Sequence, residues 1–144
     1  MRGKEHVIQA AFFCGIRFLA KLDPRWGWIY AIPNGGARTL ATGKLLKAEG
    51  VRAGVWDVFV PVKIGDHGGL YIEFKADKNT LTTEQKEFGR VMYYQRGYLL
   101  YIAYSSQDAT DAVQRYFMGV TVAGVGQVEA WLKPTEKRVK KGVP

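Results

Sequence analysis

The chain has 144 residues, a length that suits one domain with a hydrophobic core of its own. Lysine and arginine outnumber aspartate and glutamate by 21 to 13, and the resulting formal charge of +8 favours a polyanionic partner such as nucleic acid. The single cysteine, Cys14, excludes a disulfide framework and a cysteine-based zinc site, and its apolar neighbours predict a core position. No apolar run reaches transmembrane length and no signal peptide is visible, so we expect an intracellular, cytoplasmic protein without membrane contacts.

Apolar spacing and turn residues predict alternating helices and strands. In chain order these are a helix over residues 4–21, a strand over 26–31, a helix over 38–49, strands over 54–60 and 70–75, a helix from Thr82 to Gly97, a strand over 98–104 and a helix that begins near Ser105. This order predicts an α/β domain with a mixed central β-sheet flanked by α-helices. The strand over 98–104 is apolar on both faces, so we expect it at the centre of the sheet.

Three charged residues interrupt two strand segments that are otherwise apolar: Asp57 on the first, and Glu73 and Lys75 on the second. Residues two apart on a strand share a face about 7 Å apart, so Glu73 and Lys75 project together. The glycine-rich turn between the segments predicts a hairpin, which brings Asp57 beside Glu73. Two such carboxylates repel each other unless a divalent cation lies between them, and oxygen ligands suit Mg²⁺ or Mn²⁺. The alternative is a structural Glu–Lys pair, with Asp57 in a separate salt bridge.

An Asp followed by Glu-x-Lys on the next strand is the signature of the PD-(D/E)xK nuclease superfamily. The surrounding sequence resembles its VRR-NUC group, the virus-type replication-repair nucleases. The resemblance covers roughly residues 4 to 118 and rests on Glu5, Pro33-Asn34-Gly35-Gly36, Gly54-Val55-Trp56-Asp57, Glu73-Phe74-Lys75 and Gln85. Trp56 replaces the proline that usually precedes the Asp. That proline is a feature of the backbone and not a ligand.

The resemblance implies a restriction-endonuclease-like fold for residues 1–133. The basic residues after Pro134 predict a mobile tail over 134–144. The resemblance also implies a Mg²⁺- or Mn²⁺-dependent endonuclease selective for branched DNA such as Holliday junctions, active as a homodimer, in a phage-infected or prophage-bearing bacterial host. The catalytic residues would be Asp57, Glu73, Lys75 and Gln85. The metal ligands would be Glu5, Asp57, Glu73 and the carbonyl of Phe74.

Two of these residues have a simpler structural explanation. Glu5 lies in the first turn of a predicted helix, where the helix dipole favours an acid. Gln85 completes a Thr-x-x-Gln capping box with Thr82. Both interpretations stay open for each residue.

A second glycine-rich turn, at Asn34-Gly35-Gly36, and cations elsewhere in the chain are expected to contact a nucleic-acid backbone. The residues that we predict for this contact are Asn34, Gly35, Arg38, Lys44 and Lys78. Each of these cations could instead be an ordinary solvated side chain. Gly43-Lys44 resembles the end of a phosphate-binding loop, but Arg38 stands where glycine is needed and Leu45 where serine or threonine is needed, which argues against a nucleotide cofactor.

Two other functions compete with a branched-DNA endonuclease. A non-catalytic nucleic-acid-binding module would need only the basic charge and the aromatic residues, and would have no use for Asp57, Glu73 and Lys75 on core strands. An RNase or a general nicking nuclease on the same fold would differ in its substrate alone.

Overall fold

The computed structural model describes residues 2–33 and 40–120 of the chain. Its helices are α1 (Arg2–Leu19), α2 (Leu40–Ala48), α3 (Thr83–Arg96) and α4 (Ser106–Phe117), with a short 3-10 helix at Pro24–Trp28. Its strands are β1 (Tyr30–Ala31), β2 (Val58–Val60), β3 (Leu70–Phe74) and β4 (Leu99–Ala103). None of the helices in these two ranges combines the length and the apolar character needed to traverse a lipid bilayer.

The four strands form one mixed sheet in the order β1-β2-β3-β4. β1 pairs with β2 and β2 with β3 in antiparallel fashion, whereas β3 and β4 are parallel. This arrangement, with helices against the sheet, confirms the predicted fold class.

β4 is an edge strand among the described residues, and its predicted central position is wrong in this part of the chain. Its apolar character has a different cause, because α3 and α4 both pack against it. A strand buried on both faces needs cover above and below the sheet, which does not require a neighbouring strand on each edge.

The main core lies between one face of the sheet and the helices α1 and α4. Alternate strand residues point into it, and Val58, Val60, Leu70, Ile72 and Phe74 have no exposed surface. The intervening residues of the same strands, including Phe59, Tyr71 and Glu73, therefore lie on the opposite face, because side chains alternate along a strand. A second apolar cluster on that side contains the buried side chains of Trp56, Leu81, Leu100 and Ile102.

Two local predictions are wrong. The strand predicted over residues 26–31 begins as a 3-10 helix, because the Asp23 side chain accepts a hydrogen bond from Arg25 N and Pro24 fits the first helical turn. Cys14 is exposed, because α1 buries Phe12 and Ile16 on one side and residue 14 falls on the other.

The ends of α3 are as predicted. Thr82 is the N-terminal cap and forms a complete capping box with Gln85, and Gly97 ends the helix in the left-handed conformation at φ 73°. The start of the predicted helix over 38–49, the residues Asn34, Gly35 and Arg38, and the tail over 134–144 lie outside the described residues.

The segment before Asp57 is docked against the first turn of α3, so β2 begins four residues later than predicted. Gly54 adopts φ 86°, and a Cβ there would lie 2.6 Å from the carbonyl oxygen of Glu84. Trp56 is completely buried, and its indole N–H donates to the carbonyl oxygen of Gln85 at 2.9 Å. These two contacts join parts of the chain that are about thirty residues apart in sequence.

Replacing Gly54 by alanine should destabilise the protein strongly, because the new Cβ meets both an unfavourable backbone conformation and a carbonyl oxygen. We expect a loss of about 3 kcal/mol or more in the free energy of unfolding, measured with urea. Gly50→Ala is the matched control, since Gly50 has φ 96° but open space around its Cβ position, and should cost only about 1 kcal/mol. Equal losses in the two variants would contradict the close approach of Gly54 to α3.

Candidate active site

The β2–β3 hairpin brings the Asp57 and Glu73 carboxylates together. Val58 pairs with Ile72, so Asp57 lies opposite Glu73 at the next position along the two strands. The Asp57 amide donates to Glu73 Oε2 at 3.1 Å, and the Phe74 amide donates to Asp57 Oδ2 at 2.9 Å. Each carboxylate is therefore fixed by the backbone of the opposite strand segment.

Lys75 follows Glu73 on the same face, as the strand alternation predicted. Its Nζ lies 3.5 Å from Glu73 Oε1, and the two side chains are only 7% and 3% exposed. Lys75 Nζ also donates to Gln85 Oε1 at 3.1 Å. An ammonium group has three N–H donors, so one of them is left for a group in the cleft.

Gln85 takes part in the helix cap and also contacts the charged cluster, so its two predicted interpretations do not exclude each other. Its Oε1 accepts from the Thr82 amide at 2.9 Å as well as from Lys75. Its Nε2 donates to Glu73 Oε1 at 2.6 Å. The first turn of α3 thus reaches the centre of the cluster.

The surroundings of Asp57 and Glu73 disfavour the ionised form of both carboxyl groups. Burial, followed by the charge of Asp57, raises the pKa of Glu73 to about 8, although Lys75 opposes the shift. Burial is also the main cause that raises the pKa of Asp57, with a contribution from the charge of Glu5. Strong shifts of this kind are typical of functional sites, because structural carboxylates are normally placed where they ionise easily.

The donor set fits a hard divalent cation. Asp57 and Glu73 offer carboxylate oxygens side by side, and one or two carboxylates with water molecules satisfy Mg²⁺. Since the N–H and C=O of a strand residue point to the same side, the Phe74 carbonyl is directed towards Asp57, which the Phe74 amide contacts. Within residues 2–33 and 40–120, no group of three or more His, Cys, Asp or Glu side chains is arranged as a metal site. The candidate ligands are therefore the carboxylates of Asp57 and Glu73 and the carbonyl of Phe74.

Glu5 lies in the same cleft without joining the pair of carboxylates. Its Oε1 accepts from Asn79 Nδ2 at 3.1 Å and from the Ala76 amide at 3.4 Å, which ties α1 to the loop after β3. The cleft has a volume of about 290 Å³ and is lined by Glu5, His6, Gln9, Ala53, Gly54, Asp57, Glu73, Lys75, Thr82, Glu84 and Gln85. A role of Glu5 as metal ligand stays a prediction.

Two of the predicted contacts to nucleic acid, Lys44 and Lys78, lie among the described residues. Lys44 is exposed on α2 and Lys78 is exposed in the loop after β3, and neither lines the cleft. Their contact with DNA also stays a prediction.

Trp56 and Gly54 are parts of the site whose importance the sequence did not reveal. Their contacts with α3 hold the segment that carries Asp57 against the turn that carries Gln85. The one feature of the sequence that could have indicated this role is Trp56 itself, which stands beside the motif aspartate where proline is usual. Its hydrogen bond depends on a long-range contact that no local pattern encodes.

No protein-family model and no curated protein matches the chain. A solved structure described as a "VRR_NUC domain protein" is similar to it with a TM-score of 0.64 and 24% sequence identity. The similarity covers 81% of this chain and 94% of the other. The chain therefore has the fold of a VRR-NUC domain protein, as its motifs predicted.

Proposed function

We propose that this protein is a nuclease of the VRR-NUC group that hydrolyses DNA phosphodiester bonds with Mg²⁺ or Mn²⁺. The observation that carries the proposal is the constellation of the half-buried Asp57 with the buried Glu73 and Lys75 on this fold. A bound divalent cation supplies Lewis-acid polarisation of the phosphodiester and a water molecule of lowered pKa. Asp57, Glu73 and the Phe74 carbonyl are the groups that would hold it.

The remaining chemistry belongs to the side chains around the two carboxylates. Lys75 can direct its free N–H to the attacking water or to a phosphate oxygen, where negative charge develops. Gln85 keeps both Glu73 and Lys75 in place, since its amide contacts each of them. We expect in-line attack with inversion at phosphorus.

A binding module without catalysis explains these residues less well. Burial of Glu73 and Lys75 costs free energy that the ion pair between them offsets only in part. A protein that only binds phosphates has no need of a carboxylate pair, which would repel its ligand. The formal charge of +8 supports contact with nucleic acid under either function.

We further propose branched DNA such as Holliday junctions as the substrate, and a homodimer in the cytoplasm as the active form. Two antiparallel active sites would allow paired incisions across a junction. This part of the proposal rests on the resemblance in motifs and fold. An RNase and a general nicking nuclease are the alternatives, and cleavage of RNA or of ordinary duplex DNA distinguishes them.

Replacing either carboxylate should abolish cleavage and leave binding largely intact, because the variant loses a metal ligand and no phosphate contact. We expect Asp57→Asn and Glu73→Gln each to lower the cleavage rate by about a hundredfold or more. The measurement is cleavage of a labelled four-way junction, a matching duplex, a single strand and an RNA duplex, each with Mg²⁺, Mn²⁺ or EDTA.

Asp66→Asn, at the exposed tip of the same hairpin, is the control for loss of one charge and should cleave at the normal rate. An Asp57→Asn protein that cuts as well as the wild type would show that the site is wrong. Binding of every substrate without cutting under any metal would favour the binding module.

The stability of the metal-free protein should fall as the pH rises from about 4.5 to about 8. Glu73 keeps its proton in the folded state up to a pKa of about 8, whereas the unfolded chain releases it near 4.5, so a rising pH favours unfolding. Mg²⁺ should raise the melting temperature more at pH 8 than at pH 6, because it binds the ionised carboxylates. Thermal unfolding of wild type and Glu73→Gln measures both effects, and both should be much smaller in the variant, where only Asp57 still titrates with a raised pKa. A wild type that behaves like the variant would contradict the proposed electrostatics.

Trp56→Phe should slow the chemical step with little effect on substrate affinity. The variant keeps the aromatic ring in the core but leaves the Gln85 carbonyl without its donor, so the amide that holds Glu73 and Lys75 becomes less well placed. We expect a reduction of about tenfold in kcat, equivalent to about 1.4 kcal/mol, with KM nearly unchanged. Trp28→Phe is the control, because Trp28 is 70% exposed. Equal kcat values for the two variants would rule out a positioning role for Trp56.

A further inference from the structure

A second concave surface, here called the α3 groove, adjoins the cleft. It has a volume of about 330 Å³ and is lined by Arg52, Ala53, Glu84, Glu87, Phe88, Val91 and Met92. Ala53 and Glu84 also line the cleft, so the two spaces are adjacent. A strand of nucleic acid whose phosphate lies at the carboxylate pair could therefore place an adjacent group in the groove.

The floor of the α3 groove is apolar and firmly supported. Phe88, Val91 and Met92 are only partly buried, so they present apolar surface to the groove. The Phe88 ring packs edge-on against Tyr71 with 5.1 Å between the ring centroids, and this contact fixes its position. Apolar walls with a few polar groups are typical of sites for small planar ligands.

The rim of the groove carries charges of both signs. Arg52 lies on the side of the segment before Asp57, whereas Glu84 and Glu87 project from α3, one helical turn apart. All three side chains are exposed, and no ion pair joins any of them to another residue in the described part of the chain. The guanidinium is thus available to a phosphate, and the carboxylates to hydrogen-bond donors.

We propose that the α3 groove binds one unpaired nucleobase next to the scissile phosphodiester. This inference rests on the proposed nuclease function and adds a subsite to it. A base offers two apolar faces to the floor, and the amino group of cytosine, adenine or guanine donates to a carboxylate acceptor. Thymine has no exocyclic amino group and offers the carboxylates only its ring N3–H, so it binds less well. A base in an intact duplex cannot enter, because its edge is paired and its faces are stacked.

The groove would thereby convert a defect in base pairing into a preference for branched or interrupted DNA. This preference does not require recognition of a base sequence along a duplex, because only a nucleotide that is unpaired at a branch or bulge can reach the subsite. Glu84 and Glu87 disfavour a phosphate on the α3 side of the groove, whereas Arg52 can hold the adjacent phosphate at the opposite rim, so the base and not the backbone fits the groove itself.

Binding in EDTA tests the subsite without any dependence on cleavage. The probes are a matched duplex and the same duplex with one extra unpaired cytosine or thymine. We expect the wild type to bind the cytosine bulge about tenfold more tightly than the matched duplex, and the thymine bulge with intermediate affinity.

Two variants and one control make the result specific. Val91→Trp fills the groove and should bind all three probes equally, whereas Glu87→Gln, a surface change that does not threaten folding, should lose most of the preference for cytosine over thymine. Tyr94→Trp adds a similar ring to the exposed side of the same helix and should keep the wild-type pattern.

The subsite is overturned if the wild type binds the three probes equally, or if Val91→Trp or Glu87→Gln retains the full preference. The cleavage assays with Asp57→Asn decide the nuclease function separately. A protein that cuts DNA but shows no preference for the bulge would keep the proposed function and lose the subsite. A protein that prefers the bulge and never cuts would lose the function and keep the subsite.

Discussion

Two carboxylates that repel each other are held together at the start of β2, and the structure around the cleft depends on this contact. Asp57 accepts from the amide after Glu73, and Glu73 accepts from the amide of Asp57 itself. The arrangement requires the antiparallel register of β2 and β3, because a shift by one residue would turn Glu73 towards the apolar core. The core between the sheet and the helices α1 and α4 maintains that register.

The second support of the cleft comes from α3, which is distant in sequence from Asp57. Gly54 and Trp56 press the segment before Asp57 against the first turn of α3, and Gln85 reaches from that turn to the charged pair. The cleft is thus enclosed by the segment before β2, the end of β3, the start of α3 and the first half of α1, and these contacts hold the first three together. A rigid frame of this kind is what keeps a costly cluster of charges in one geometry.

Much of the site followed from local rules. Strand alternation placed Glu73 and Lys75 on one face, the glycine-rich turn placed Asp57 beside them, and the Thr-x-x-Gln pattern marked the start of α3. The rules failed where long-range contacts or competing local signals decide. No local pattern reveals that Trp56 donates to a carbonyl on α3. The apolar pattern of β4 also cannot distinguish a central strand from an edge strand whose two faces are both covered by helices. In residues 24–28 the Asp-Pro cap outweighed the strand preference of the aromatic residues.

The double use of Gln85 restricts which amino acid can stand at that position. The capping box needs an oxygen acceptor on a side chain of the length of glutamate or glutamine, since it must reach back to the Thr82 amide. The contact with Glu73 needs a donor on the same side chain, which glutamate lacks and which asparagine is too short to provide. Glutamate would also add a further carboxylate beside Asp57 and Glu73, whose pKa values are already raised. Only glutamine among the twenty amino acids meets both demands, so helix formation at α3 and assembly of the cleft select for the same residue.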